Sequence, residues 1–500
     1  MNNTDLIYEV DIRELFNRFK SNINSIKTLN DIPDNFFIEL KKIGVKYIWL
    51  IGMYEQSLTG KKLAFQLQEL HGRYSECLSD WTEKDIASSP YAIKKYEIAK
   101  GFGGKKVFNT FRKKLRDKFD IGIILDFVPN HVALDNPIVG KNPGYFVKVN
   151  EPIPPERVEN YFKHTGIKGE IFLAHGKDPF FPAWKDTLQL DYRSKSVHKY
   201  MIKELLKISE LCDGVRCDMS MLLLSEVFNV NWKDYPLPGD IVPSGKEFWY
   251  DAILSVRKVN PDFLFIAEVY WDKEKTMLDL GFDYVYDKKL YDCLTQYNCP
   301  RLREYIQHTF TFEKGRLVFL ENHDEQRVTS ILTRDKHYAC AVLSYTLPSV
   351  KLLHEGQMEG RKIPHAIQLT RIQPEKIDVE IHQFYKKLFE LAQNSAIRDG
   401  YFKALIPLAA WERSPSYQNF IIYLYENDKL EKDLVVVNFS GYQSQCRVKI
   451  ESFDLIGNEF LIEDRMSDQK YQRSGDEMFY EGLFLELMPY QSQIFQFKKI

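Results

Sequence analysis

Four acidic residues stand at or near the carboxyl ends of four separate apolar runs: Asp126 in "IILDFVPNH", Asp218 in "GVRCD", Glu268 in "FLFIAEVYW" and Asp324 in "LVFLENHDE". Carboxylates beside buried runs are costly unless paired, solvated or used. Singly, each reads as a capped or salt-bridged structural group, but four coincidences of type and position point to one shared pocket. Two chemistries use such a set. Metal-assisted proton abstraction needs a lysine base at a strand end, and Lys351 and Lys46 both stand early in their runs. Glycoside transfer needs a carboxylate nucleophile and a carboxylic acid about 5 Å apart. Arg216, two residues before Asp218, shares its strand face and is expected to keep that carboxylate ionised by charge pairing. Glu268 sits among Phe265, Ile266, Ala267 and Val269, where desolvation is expected to raise its pKa and hold a proton for a leaving oxygen. His131 and His323 can donate to sugar hydroxyls.

Positioning these groups requires strand ends that converge. Eight β-type runs occur at 6–12, 45–52, 121–128, 213–218, 263–269, 282–286, 316–322 and 350–356. Between them lie stretches of helical periodicity such as 108–119, 196–212 and 246–259. This alternation predicts a (β/α)8 TIM barrel, whose strand ends all meet on one face. A doubly wound open sheet fits the alternation too, but no glycine-rich phosphate turn follows the first strand, and "GFGG" (101–104) reads as a turn before a helix. Residues 132–193 are rich in Pro, Gly and aromatics ("NPIVGKNPGYF", "EPIPPERV", "HGKDPFFPAW") and too long for an ordinary loop. The expected organisation is a catalytic barrel of residues 1–131 and 194–400, an inserted domain of 132–193 after the third strand, and a carboxyl-terminal antiparallel β domain of 401–500. A closing helix is expected at 380–395.

The 68 basic and 70 acidic side chains nearly cancel, so no bulk field draws the chain to nucleic acid or an anionic membrane. Seven scattered cysteines show no zinc spacing and are expected to be reduced thiols. The start "MNNTDLIYEVDIREL" has no secretory core, and no run of about 18 apolar residues predicts a membrane span. A cytoplasmic protein is the expectation. Aromatics at 14% serve either a large core or sugar-binding platforms, with Trp184, Tyr270 and Trp271 as candidates for the latter.

"DFVPNH" (126–131), "GVRCD" (214–218), "AEVYW" (267–271) and "ENHDE" (321–325), in this order, resemble the four signature regions of the alpha-amylase family, glycoside hydrolase family 13. "GVKYIWLIG", "SPYAIKKYEIAKGFGG" (89–104), "TLQLDY" (187–192) and "LLHEGQMEG" (352–360) extend the resemblance over most of the chain. It implies that Asp218 is the nucleophile, Glu268 the general acid then base, and Asp324 the group that grips ring hydroxyls in the transition state. It further implies substrate contacts for Arg216, His131, His323 and Tyr91, with Asp126 and Asn130 supporting the site. The implied partner is an α-glucan or oligosaccharide.

The departures are specific. Met221 and Leu222 replace a lysine and a histidine that often contact the leaving-group sugar, so recognition there is expected to be altered or more apolar. Lys95 stands where the family's tyrosine loop usually has aspartate. Gln189 replaces an aspartate that often binds calcium, and calcium wants about six to eight oxygens, so no cofactor and no metal are expected at that place. The expected activity is a retaining hydrolase of α-glucosidic bonds. A glucanotransferase, or a phosphorylase or isomerase of disaccharides, shares the same first shell. A catalytically silent barrel is disfavoured because all three central carboxylates are kept.

Overall fold

The computed structural model describes residues 4–23, 25–149, 161–166 and 169–500. The proline-rich stretch "EPIPPERV" (151–158) lies outside them. Eight parallel strands close into a barrel: β1 (Leu6–Asp11), β2 (Val45–Ile51), β3 (Gly122–Phe127), β4 (Gly214–Cys217), β5 (Leu264–Ala267), β6 (Tyr284–Tyr286), β7 (Arg316–Val318) and β8 (Val350–His354). Neighbours in sequence are neighbours in space, and β8 pairs with β1 to close the ring. All eight fall within the runs expected from sequence; β7 is the most shortened, ending at Val318 before an irregular turn carries the chain to Asp324.

The strands are apolar along nearly their whole length because both faces are buried. Leu6, Tyr8 and Val10 of β1 pack outward in the cluster shared with the helices, whereas Ile7 joins Trp49, Ile124, Ile266, Leu317 and Leu352 inside the ring. Side chains alternate faces with period two. The parity that sends Ile7 inward therefore sends Glu9 inward at the carboxyl end of β1, and likewise Asp126 above Ile124 and Glu268 above Ile266. Arg216 and Asp218 follow the same parity from Gly214. A Cβ at Gly214 would lie 2.8 Å from the Leu264 carbonyl oxygen, so only glycine permits the close approach of β4 to β5 beneath the arginine.

The helices expected from periodicity form with shifted ends. The 108–119 stretch begins at Gly104 and finishes in a wider turn, Leu115–Phe119, terminated by Asp120 in the left-handed region (φ 53°). The closing helix is Val379–Gln393, capped by Asp378 accepting from the Ile381 N–H at 3.2 Å. Between β3 and β4, His131–Ala133 pairs antiparallel with Thr187–Gln189, and Lys148–Val149, Gly169–Ala174 and Tyr161–Gly166 form a small sheet.

The carboxyl-terminal strands are antiparallel, in the order Tyr401–Leu405, Phe420–Glu426, Lys432–Asn438, Ser492–Lys499, Glu459–Asp464, Gln469–Ser474, with Ser444–Val448 and Leu483–Leu487 pairing separately. Alternation again divides the labour. Phe420, Ile422, Leu424, Leu434 and Val436 face a separate core, whereas Ile421, Tyr423, Tyr425, Val435 and Val437 join the barrel's core. The Tyr425 hydroxyl donates to the Thr346 carbonyl at 2.7 Å, and the Tyr423 hydroxyl lies 2.5 Å from Thr346 Oγ1. Among the described residues no helix is long and apolar enough to cross a membrane. Tyr425→Phe is expected to cost about 1 kcal/mol in urea unfolding, and Tyr425→Ala about 3–5 kcal/mol. Neither should change KM, since both act through the seam.

Candidate active site

The inward groups meet at the carboxyl end of the barrel around one guanidinium. Arg216, 1% exposed, places Nη1 2.5 Å from Asp218 Oδ1 and Nη2 2.8 Å from Glu268 Oε2. Asp126 Oδ1 lies 3.7 Å from Nη1 and accepts the Trp49 indole N–H at 3.2 Å. The rings of Trp49, Tyr91 and Tyr286 surround the guanidinium at 5.1, 5.2 and 5.8 Å, a planar cation held by aromatic faces. Sequence spacing paired Arg216 with Asp218 alone; the structure shows one fork holding both carboxylates.

Glu268 has two further donors. The Tyr270 hydroxyl reaches Oε1 at 2.9 Å and the Met219 backbone N–H reaches Oε2 at 2.6 Å. Met219 takes left-handed angles (φ 43°, ψ 46°) immediately after Asp218. That strained turn aims its N–H across to β5. Tyr270, a candidate platform from sequence, thus serves Glu268 through its hydroxyl.

Burial dominates the electrostatics. It pushes the Glu268 carboxyl up to about 7 against the pull of Arg216, with Asp218 and Asp324 adding to the rise. It likewise raises Asp126 to about 7, again opposed by Arg216. Asp218 is raised too, because burial outweighs the lowering by Arg216. The charge pairing expected between Arg216 and Asp218 is present, and the arginine acts to lower a carboxyl that burial raises.

Asp324 is held by an Asx turn, with Asn322 Oδ1 accepting its N–H and that of Glu325, each at 2.9 Å. Its carboxylate is 48% exposed to the cleft and lies 3.0 Å from His323 Nε2. Its crowded surroundings act to raise it, and His323 overrides them, bringing it down to about 2. The Tyr91 hydroxyl is 2.6 Å from the same His323 nitrogen. Sequence reasoning missed four members of the site: Glu9, which contacts His323; Trp49; Tyr286, whose hydroxyl is 3.4 Å from Arg216 Nε; and Tyr270 in its actual role. Glu9 had a readable signal, an acid two residues after Ile7 in a wholly buried strand.

On the other side, His131 is buried beneath the inserted segment, its ring 5.0 Å from that of Trp184, and burial takes its pKa down to about 4. A Cβ at Gly176 would come within 3.0 Å of His131, which explains a glycine there. Trp271 lies on the rim, 36% exposed, its ring 5.2 Å from Phe180. Met221 and Leu222 are 0% and 2% exposed. Both pack in the barrel's hydrophobic core.

The residues at the family's usual calcium position do not fit that ion. Gln189 Nε2 donates to Asn130 O and Oδ1 at 2.9 Å and to Leu190 O at 3.0 Å. An N–H donor group thus stands among the oxygens that a cation would need, and no carboxylate joins the cluster. Among the described residues no group of three or more His, Cys, Asp or Glu is arranged to hold a metal.

A family model for the alpha-amylase catalytic domain matches residues 37–386, and the chain belongs to the alpha-amylase family. Alpha-amylase MalA of Haloarcula japonica is 23% identical over 289 residues, covering 56% of this chain and 38% of that protein. Alpha-amylase 2 of Dictyoglomus thermophilum is 24% identical over 401 residues, covering 75% of this chain and 61% of that protein. The matches thus cover less than two thirds of the length of either relative. The noncanonic maltogenic alpha-amylase AmyB from Thermotoga neapolitana superposes with a TM-score of 0.69 at 19% identity, covering 99% of both chains. The Geobacillus thermoleovorans alpha-amylase complexed with acarbose gives 0.66 at 18%, covering 99% and 98%. At these identities the solved structures establish a shared fold.

Because the Gln189 amide ties the inserted strand to the loop after β3, EDTA is expected to leave the melting temperature unchanged. Gln189→Leu, which takes the amide donor from Asn130 Oδ1 and Leu190 O while the Asn130 carbonyl keeps the Leu190 N–H, is expected to lower stability by about 2–4 kcal/mol. A melting temperature that falls in EDTA and returns with calcium would contradict the assignment.

Proposed function

We propose that the protein is a retaining glycosidase acting on α-glucosidic bonds of glucans or malto-oligosaccharides. The observation that carries this reading is the Arg216 fork, which holds Asp218 and Glu268 side by side as a pair. A short separation of about 5 Å suits a nucleophile and an acid on opposite sides of one anomeric carbon. In the first step an Asp218 oxygen attacks that carbon, the bond to the leaving oxygen breaks, and Glu268 gives that oxygen its proton. In the second step a water attacks the same carbon, Glu268 takes the water's proton, and the Asp218 carboxylate is released. Asp324, open to the cleft, accepts from hydroxyls of the distorted sugar, with His323 beside it.

The same first shell serves transfer to a sugar acceptor. One observation favours that second reading: Phe180 and Phe181 are 70% and 72% exposed, and Phe180 meets Trp271, three residues beyond Glu268. Exposed rings at this place offer a shelf for an acceptor sugar. All seven cysteines are unpaired and buried, which supports a reducing, cytoplasmic setting.

With maltoheptaose, Asp218→Asn is expected to lose turnover by several orders of magnitude with the fold intact. Near-wild-type rates would remove Asp218 from the role. Shorter sugars alone identify a hydrolase; longer products as well identify transfer. Since the acid must carry its proton, kcat/KM is expected to fall as pH rises through about 7. Tyr270→Phe, losing a donor to the ionised form, should move that limb upward, and an unmoved limb would separate it from Glu268. Removing the shelf with Phe180→Ala and Trp271→Ala is expected to raise KM for maltoheptaose roughly tenfold, measured against an unchanged rate on maltotriose.

A further inference from the structure

His323 stands between two carboxylates, and one of them belongs to no motif. Its Nδ1 hydrogen-bonds Glu9 Oε1, and the same oxygen accepts the His323 backbone N–H at 3.2 Å. Its Nε2 lies 3.0 Å from Asp324 Oδ2 and 2.6 Å from the Tyr91 hydroxyl. Glu9 is 0% exposed and its Oε2 has no hydrogen-bond partner among the described residues. Such a carboxylate needs a cation in contact. The ring it touches is itself buried, edge-on to Trp49 at 5.5 Å.

We propose that Glu9 is a positioning residue for the sugar-gripping side of the site: it holds His323 as an imidazolium, with Nδ1–H donating to Glu9 and Nε2–H directed at Asp324 and the substrate. This rests on the functional reading above, in which Asp324 and His323 face the sugar. Ionised carboxylates only accept. A neutral imidazole has one donor and one lone pair, so either tautomer would set a lone pair against a carboxylate oxygen. Both contacts are satisfied only by the doubly protonated ring. Besides Glu9 and Asp324, the ionisable groups facing the ring are Asp126, Asp218 and Tyr91 at the mouth. Across a cavity of about 20 Å³ behind it lie Asp11, Glu14, Arg327, His354, Glu355 and His365. The cations on these two sides are Arg327 and, over the Trp49 and Tyr91 rings that touch His323, Arg216, which is already paired with Asp218 and Glu268. Burial opposes charge on the ring, but Asp324 and Glu9 override it and raise its pKa well above the ordinary histidine value. The sign follows: the pair's stabilisation is present below the unfolded pKa and is lost as pH rises through the raised folded one. Glu9 can impose this geometry because it sits within a strand, in register with Trp49 of β2 and His354 of β8.

The test is nuclear magnetic resonance of histidine-labelled protein, with His323 assigned by the His323→Asn variant. In the wild type the His323 ring should keep both protons through neutral pH. In Glu9→Gln, which keeps an acceptor and removes the charge, it should lose the second proton at least about one pH unit lower. The kcat/KM for maltoheptaose should fall at least about tenfold, with no further loss when Glu9→Gln is added to His323→Asn. A wild-type ring that titrates near the ordinary value overturns the proposal and requires no variant to fold. So does a folded Glu9→Gln with unaltered ring titration. If the ring behaves as stated while the wild type acts on no α-glucan, the functional reading falls and the Glu9–His323 pair stands.

Discussion

The mouth of the barrel is organised around a buried positive charge. Arg216 lies inside a ring of aromatic faces and is neutralised by Asp218 and Glu268, with Asp126 close by. A guanidinium suits this position because it stays charged when desolvated and offers two parallel donors. Burial of these carboxyl groups in a dry site, with the neighbouring carboxylates adding to it, keeps protons near neutrality on Glu268 and Asp126. The same burial opposes ionisation of Asp218. Acid and base thus arise from one arrangement, the pair titrating as a unit.

Asp324 balances this from outside the fork. Exposed to the cleft and beside a positively charged histidine, it stays ionised well below the other carboxyls. The site therefore has one side where a carboxylate open to the cleft stays ionised and a dry side where carboxyl groups hold protons. In the proposed reading, a sugar lying across it would meet hydroxyl acceptors on one flank and a proton donor on the other.

The inserted segment completes the cleft. Its strand Thr187–Gln189 is clamped to the chain just after β3 by an amide that occupies the centre of an oxygen cluster, and its tip carries Phe180 against Trp271. Trp271 and Asp272 both hold left-handed backbone angles (φ 64° and 56°). Consecutive non-glycine residues in that region are costly, and here the turn brings an indole to the rim.

Period-two alternation and the apolar runs were enough, in the sequence, to specify eight strands, their parallel order and the face on which Asp126, Arg216, Asp218 and Glu268 emerge, because side-chain parity is a local property of the backbone. Glu9 obeyed the same parity. It went unread because its partner, His323, is 314 residues away, and no local pattern encodes that contact. Likewise the identity of Met221 and Leu222 was legible, but not that the chain turns at Met219 and buries them. Ionisation was the least legible property. Spacing put Arg216 beside Asp218, yet which way that carboxyl shifts depends on how much water the closed barrel, Tyr91 and Tyr286 exclude, and exclusion is a sum over the whole fold. Residue types and strand parity set which groups face the cleft; tertiary packing alone set their partners, their charges and the shape of the leaving-group side.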